Sequence, residues 1–172
     1  MRNVLTALLS TAALLGAAGS ASGAQQTTTF AVTAQVQKNC TTATAPALNF
    51  GVYTPGTGQT INVNTAVSIA CSKNTGFTVS LNGGTGGTVA QRAMTDGVSG
   101  DLLQYQLYTS NSYSTVFGDS SGTSQTVPGV GVGMGTQVLT QVYGQLVDSA
   151  FNQANASPNN NYSDTITVTV TY

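Results

Sequence analysis

The chain alternates apolar and polar residues with a period of two in several separate stretches. The clearest is DTITVTVTY, where Ile166, Val168, Val170 and Tyr172 share one parity and threonines occupy the other. Side chains of a strand point alternately to its two faces. The stretch therefore predicts a β-strand over Thr165–Tyr172 with one apolar and one polar face.

The same alternation recurs between turns that are rich in glycine, proline, asparagine and serine. It is found in FAVTAQVQ, INVNTAVSIAC, GFTVSL, DLLQYQLYTS and TQVLTQVYGQL. The turn stretches TPGTG, NGGTGG and NQANASPNNNYSD separate these strands. No amphipathic helix of useful length is predicted after residue 24. Six or seven such strands predict an all-β fold, a β-sandwich of the immunoglobulin type.

Both ends of this predicted sandwich are unusual. Residues 25–37 alternate in the same way, with Phe30, Val32, Ala34 and Val36 on one parity, and they precede the first cysteine. The final strand has no successor in the sequence, although an immunoglobulin-like sandwich needs about seven strands to close its core. If one strand is missing, an apolar groove lies open beside the last one and invites a strand from another chain.

The start of the chain has the pattern of a secretory signal peptide. Arg2 is followed by the uncharged apolar run Val4–Ala18 and by the small residues around Gly23, which predicts cleavage after Ala24. A transmembrane anchor is the weaker alternative, because spanning a bilayer takes about 20 apolar residues. The mature chain would then begin at Gln25.

Charge and residue types exclude several classes of function. The mature chain would carry Lys38, Lys73 and Arg92 against five aspartates, and three minus five gives a net charge of −2. A basic patch is therefore missing, which excludes nucleic-acid binding. The sequence has no histidine and no glutamate, so a Ser-His-Asp or Cys-His catalytic arrangement is impossible. We predict no enzyme activity, no cofactor and no metal site; the five aspartates are predicted to be turn residues.

The two cysteines, Cys40 and Cys71, stand in phase with apolar faces. In an exported protein they are expected to form a disulfide that joins two strands. Arg92 has two interpretations: it pairs with Asp164 to fix a strand end, or it is a solvated loop charge, which we favour. Tyr105, Tyr108 and Tyr143 are predicted to line the core or the groove; a sugar-stacking platform is the alternative.

At this point the motifs match a known family. FAVTAQVQKNC, LNFGVY, VSIAC, QRAM, LLQYQLYTS, VFGD, VYGQL and NYSDTITVTVTY, in this order, make the chain resemble the spore coat protein U-like domain, the subunit type of archaic chaperone–usher pili. One departure is Phe117, where tryptophan is common before the Gly-Asp pair. The resemblance implies an incomplete immunoglobulin-like β-sandwich that is completed by a donor strand from a neighbouring subunit.

The resemblance also implies domains, partners and a location. It divides the chain into a signal peptide (1–24), a donor segment (25–37) and an incomplete pilin domain (38–172). Phe30, Val32, Ala34 and Val36 would be the donor side chains, and Ile166, Val168, Val170 and Tyr172 the acceptor edge. The partners would be a periplasmic chaperone, an outer-membrane usher and identical or related subunits in a homopolymer. The product would be the shaft of a surface fimbrium that serves adhesion and biofilm formation. A spore or cyst coat protein of the same fold, and a secreted carbohydrate-binding sandwich, are the alternatives.

Overall fold

The computed structural model describes residues 23–158 and 161–172, and residues 36–172 form one compact unit. Within the described range this unit contains nine strands and one short helix. They are β1 (Cys40–Thr44), β2 (Thr60–Cys71), β3 (Gly76–Leu81), β4 (Arg92–Asp96), β5 (Leu102–Tyr108), β6 (Val127–Val130), β7 (Val138–Val147), α1 (Ala150–Asn155), β8 (Tyr162–Ser163) and β9 (Val168–Thr171).

The strands form two antiparallel sheets that share one core. Six strands have the order β1-β2-β7-β5-β4-β8, and three have the order β6-β3-β9. The long strands β2 and β7 pair over ten register positions, from Thr60 opposite Val147 to Ile69 opposite Val138. Buried apolar side chains of β2, β3, β5 and β7 form a single cluster between the sheets. The prediction of an all-β sandwich is confirmed.

The elements that the pattern missed are short and do not alternate cleanly. β4 buries Arg92, Ala93 and Asp96, and β6 is an edge strand that contains Pro128, a residue tolerated at sheet edges. The six-residue helix α1 was not predicted; the Ser149 hydroxyl caps it by accepting a hydrogen bond from the Asn152 main chain. The last strand is shorter than predicted, because only Val168–Thr171 pair with β3 in a regular ladder.

The disulfide between Cys40 and Cys71 is present, as predicted. β1 and β2 are neighbours, and the two cysteines are direct register partners in this pair. Cys71 is fully buried in the core cluster, and Cys40 packs against that cluster. The bond therefore ties the short edge strand β1 to the long strand β2.

The N-terminal part of the chain is described from residue 23 onward. The predicted signal peptide falls almost wholly on residues 1–22, which lie outside the described residues. Residues 23–39 form neither helix nor strand. In the described part of the chain, no helix is long and apolar enough to cross a membrane.

Removing the disulfide should lower stability without changing the fold. Its partners are 31 positions apart, and a closed loop of this length contributes about 3–4 kcal/mol in the chain-entropy model. We expect a Cys40→Ser, Cys71→Ser variant to lose that much unfolding free energy in urea titrations. Reduced wild-type protein is the control and should match the variant. Equal midpoints for oxidised and reduced protein would contradict this account.

Candidate functional site

An apolar groove runs between one edge of each sheet. One wall comes from residues 45–50, which follow the edge strand β1, and the other from residues 162–168, which lead into the edge strand β9. The groove has a volume of about 400 Å³. Its floor consists of core side chains from both sheets, among them Val67, Leu81, Tyr105, Leu107 and Val142. The core is therefore open along one side.

The strand β9 has a hydrogen-bonded neighbour on one side only. It pairs with β3, and no described strand lies on its other side. The Asn82 N–H donates to the Thr167 carbonyl at 3.2 Å, and bonded and non-bonded positions alternate along an antiparallel pair. Continued along the register, this alternation directs the main-chain groups of Val168 and Val170 away from β3, toward the open edge.

The predicted acceptor residues fall on the core side of this edge, with one exception. Ile166, Val168 and Val170 are half-buried and pack against the core cluster. Ile166 and Val168 also line the groove. Tyr172 follows the parity but is 53% exposed, because it stands after the last residue of β9.

The wall of residues 45–50 is held by contacts that the pattern did not reveal. The Thr65 hydroxyl donates to the Pro46 carbonyl at 3.0 Å, and the Phe50 ring packs on Tyr105 with centroids 5.7 Å apart. Gly144 leaves room for this wall, since a Cβ there would lie 2.8 Å from a methyl group of Leu48. The sequence showed PALNF as a short apolar stretch beside a proline, but it did not indicate where in the fold this stretch would pack.

A carboxylate anchors the other wall where the chain turns into β9. Asp164 accepts hydrogen bonds from the Thr85 N–H at 2.7 Å, the Thr85 hydroxyl at 2.8 Å and the Tyr105 hydroxyl at 2.7 Å. Burial alone would raise the pKa of Asp164, but these hydrogen bonds outweigh it and hold the pKa below its usual value. Burial and the bond to Asp164 raise the pKa of Tyr105, so its hydroxyl stays protonated and donates.

Gly84 is required at this anchor. It has a φ of +80°, and a Cβ at this position would lie 2.0 Å from the Asp164 carboxylate. Only glycine both adopts this backbone conformation readily and lets the carboxylate approach. The NGGTGG turn, which the sequence identified only as a strand terminator, therefore also supports the groove wall, because it holds Asp164.

Arg92 is completely buried, so the interpretation that we favoured, a solvated loop charge, is wrong. Its guanidinium donates to the carbonyls of Asn82 at 2.7 Å and Phe117 at 2.8 Å, and to the Gln106 side chain at 2.6 Å. It makes no hydrogen bond to Asp164 among those described. Burial lowers the pKa of Arg92, yet arginine remains charged at any physiological pH.

Arg92 nevertheless acts on the start of β9, through Asn82. The Asn82 carbonyl binds the guanidinium, while the Asn82 side chain accepts from the Thr167 N–H at 2.8 Å. Arg92 therefore helps to fix a strand end, as the other interpretation held, but it does so through Asn82 and not through Asp164. The polar contact crosses between the two sheets and positions one groove wall.

The aspartates serve turns and loop closures. Asp96 accepts from the main-chain N–H groups of Val98, Ser99 and Gly100, and Asp148 holds the Tyr53 hydroxyl together with the N–H groups of Gly56 and Gly58. No group of three residues that could hold a metal ion occurs in the described residues. Tyr105 is buried, while Tyr108 and Tyr143 are half-buried.

The predicted donor residues lie outside the described strands. Phe30, Val32 and Val36 are 86%, 83% and 87% exposed, and Ala34 is also exposed. Three large apolar side chains within the seven residues 30–36 are thus left without an apolar environment. Their alternation fits a strand, but the structure shows no strand at these residues.

The fold and the groove together define a class: a β-sandwich whose core is open beside an unpaired strand edge. A model of the Spore Coat Protein U domain matches residues 26–169. The chain therefore belongs to the Spore Coat Protein U domain family, and the resemblance noted in the sequence is confirmed.

One solved structure extends this comparison. The chain is similar to a chain in the crystal structure of the CsuC-CsuE chaperone-tip adhesion subunit pre-assembly complex from archaic chaperone-usher Csu pili of Acinetobacter baumannii. The two are 26% identical with a TM-score of 0.51, and the match covers 80% of this chain and 40% of that chain. This chain thus spans less than half the length of its structural relative. A search of curated proteins found no match.

Replacing Arg92 should destabilise the sandwich strongly. In an Arg92→Leu variant, buried carbonyls of Asn82 and Phe117 lose a charged donor, and such hydrogen bonds contribute about 1.5–3 kcal/mol each. We expect a loss of roughly 3 kcal/mol or more in urea unfolding. Lys73 is exposed, so Lys73→Leu is the matched control and should stay near wild type. A small loss at both positions would show that the network contributes little.

Asp164 should contribute acid sensitivity. Its folded pKa lies below its unfolded value of about 3.9, so its stabilisation is present above that pH and is lost as the pH falls through the folded pKa. We expect Asp164→Asn to be less stable than wild type at pH 7 and to approach it in stability at pH 2. The measurement is thermal unfolding across that range. A difference that stays constant with pH would contradict it.

Proposed function

We propose that this chain is a structural subunit of a surface pilus, which is exported by a chaperone and an usher and polymerises by donor-strand complementation. The observation that carries the proposal is the apolar groove beside the unpaired edge of β9. It has no role in a self-sufficient sandwich. It has a direct role in a protein that receives a strand from a neighbour.

The groove offers what an added strand needs. The main-chain groups of Val168 and Val170 supply ladder partners along one wall. Ile166 and the core floor supply apolar contacts for every second side chain of the incoming strand. Strand addition uses this combination, because main-chain hydrogen bonds give pairing and side-chain pockets give specificity.

The donor is the segment 25–37 of another copy. Phe30, Val32 and Val36 would fill the groove together with the smaller Ala34. Burying three large side chains contributes about 4–9 kcal/mol before the cost of ordering the segment. The interface joins two different surfaces, so it propagates as a filament and does not close into a dimer.

A subunit with both a groove and a donor segment has a place for a neighbour on each side. This favours a position in the shaft, with adhesion and biofilm formation as properties of the whole filament. The structural relative is one chain of a complex between a chaperone and a tip adhesion subunit. By analogy, a periplasmic chaperone would cover the groove before assembly, an outer-membrane usher would catalyse the exchange, and the product would be a homopolymer at the cell surface.

The family's description also favours a second candidate, a protein of a spore or cyst coat. Such a protein would use the same strand exchange in a protective layer. Immunogold labelling of intact cells separates the two, because a pilus subunit gives label along thin filaments and a coat protein gives a continuous layer. A structural role in either setting agrees with the lack of histidine and glutamate.

Deleting residues 25–37 should abolish donation of a strand while leaving acceptance of a strand intact. We expect the shortened subunit to bind a synthetic peptide of residues 25–37, with a rise in melting temperature, because its groove is intact. It should form no filaments in electron micrographs, because it has no segment to donate. Long filaments from the shortened subunit would show that this segment is not the donor.

The two alternating faces of the donor segment provide a matched pair of variants, one on the apolar face and one on the polar face. In the full chain, Val32→Asn places an amide on the apolar parity, while Thr33→Asn alters the opposite parity. We expect filaments from Thr33→Asn and few or none from Val32→Asn. Equal assembly by both would contradict the assignment of the donor side chains.

A further inference from the structure

A strip of exposed apolar side chains begins at the last residue of the edge strand β6 and continues beyond it. Val130, Val132 and Met134 are 58%, 54% and 44% exposed and alternate with glycines in the sequence GVGVGMG. We call these three residues the apolar strip. Scattered single apolar residues are normal on a protein surface, but a contiguous patch marks an interaction site.

Two glycines, Gly129 and Gly131, force the first part of the strip outward. A Cβ at Gly129 would lie 2.3 Å from the Phe77 ring, and one at Gly131 would lie 2.6 Å from the Cys71 Cβ. No side chain fits at these two positions, so the alternating residues Val130 and Val132 face out, and Met134 beyond them is also exposed. The outward direction of Val130 and Val132 therefore follows from the main chain and does not depend on side-chain rotamers.

The strip lies next to the root of the donor segment. Asn39, the last residue before β1, accepts from the Ser72 N–H at 2.9 Å. The neighbouring Cys71 carbonyl accepts from the Gly133 N–H at 3.1 Å. Gly133, which lies between two strip residues, and Asn39, from which the donor segment departs, are therefore bonded to adjacent residues at the end of β2, Cys71 and Ser72.

We propose that the apolar strip is a second contact surface between copies of this chain, covered by the body of the subunit that receives the donor strand. This inference rests on the proposed function. Only three residue steps separate Val36, the last donor side chain, from Asn39, so the root lies within about 11 Å of the end of the neighbour's groove. The strip lies beside the root, so a neighbour held this close has the strip within reach of its surface.

The two mature-chain methionines provide separate readouts. Met94 lines the groove, and Met134 belongs to the strip. Methionine oxidation follows exposure, so hydrogen peroxide labelling followed by mass spectrometry reports on both sites in one sample. The samples are the monomer and filament fractions of the mature chain, and the monomer with a saturating peptide of residues 25–37.

We expect the peptide to slow oxidation of Met94 and to leave Met134 unchanged. In filaments both methionines should be protected, with Met134 oxidised at least about fivefold more slowly than in the monomer. Filaments that protect Met94 but oxidise Met134 at the monomer rate would overturn the inference and leave strand donation standing. A Met94 that neither peptide nor filament protects would instead count against the proposed function.

A pair of exposed valines tests the energetic role of the strip. Val132→Asn should release monomer from filaments at a lower guanidinium concentration than wild type, without changing peptide binding. Val147, which is 45% exposed on β7, is the control, and Val147→Asn should behave like wild type. The same dissociation midpoint for both variants would contradict the proposal.

Discussion

The structure depends on one unsatisfied edge. β9 presents main-chain donors and acceptors on the side away from β3, directly beside an apolar groove that reaches the core. Water can satisfy the main chain of such an edge, but it cannot cover the floor without a hydrophobic penalty. An apolar ligand would cover the floor and leave the main chain unpaired. An added strand meets both requirements at once, which is why the groove favours this occupant.

An edge with a single neighbour needs support from elsewhere. Two polar contacts supply it where the chain enters β9: Asp164 is held by Thr85 and Tyr105, and Thr167 is held by Asn82, which in turn binds Arg92. Both contacts tie the entry to β9 to groups around the core floor, and neither uses the main-chain groups of the open edge. The sandwich can therefore keep the shape of its groove while the ladder positions remain free for a partner.

The sequence predicted those features that depend on neighbouring residues. Period-two alternation gave the long strands, the apolar parity of β9 and the phase of both cysteines. It could not reveal the buried role of Arg92, because the carbonyls that bind it lie ten or more positions away and meet it only in the folded sandwich. The wall at Leu48 and Phe50 was missed for the same reason. Its place depends on the absence of a side chain at Gly144, a contact across about 95 residues with no local signature.

The apolar strip shows where the alternation rule itself reaches its limit. A period of two shows that the two faces of a strand carry different residue types, and the usual assumption is that the apolar face packs against the core. At Val130 and Val132 the assumption is reversed, because Phe77 and Cys71 leave space only for glycine at the alternating positions Gly129 and Gly131. Steric exclusion, and not hydrophobicity, sets the direction here. Burial of the three apolar side chains would then have to come from outside the subunit, and in the assembly that we propose the root of the donor segment would bring a neighbour to that position.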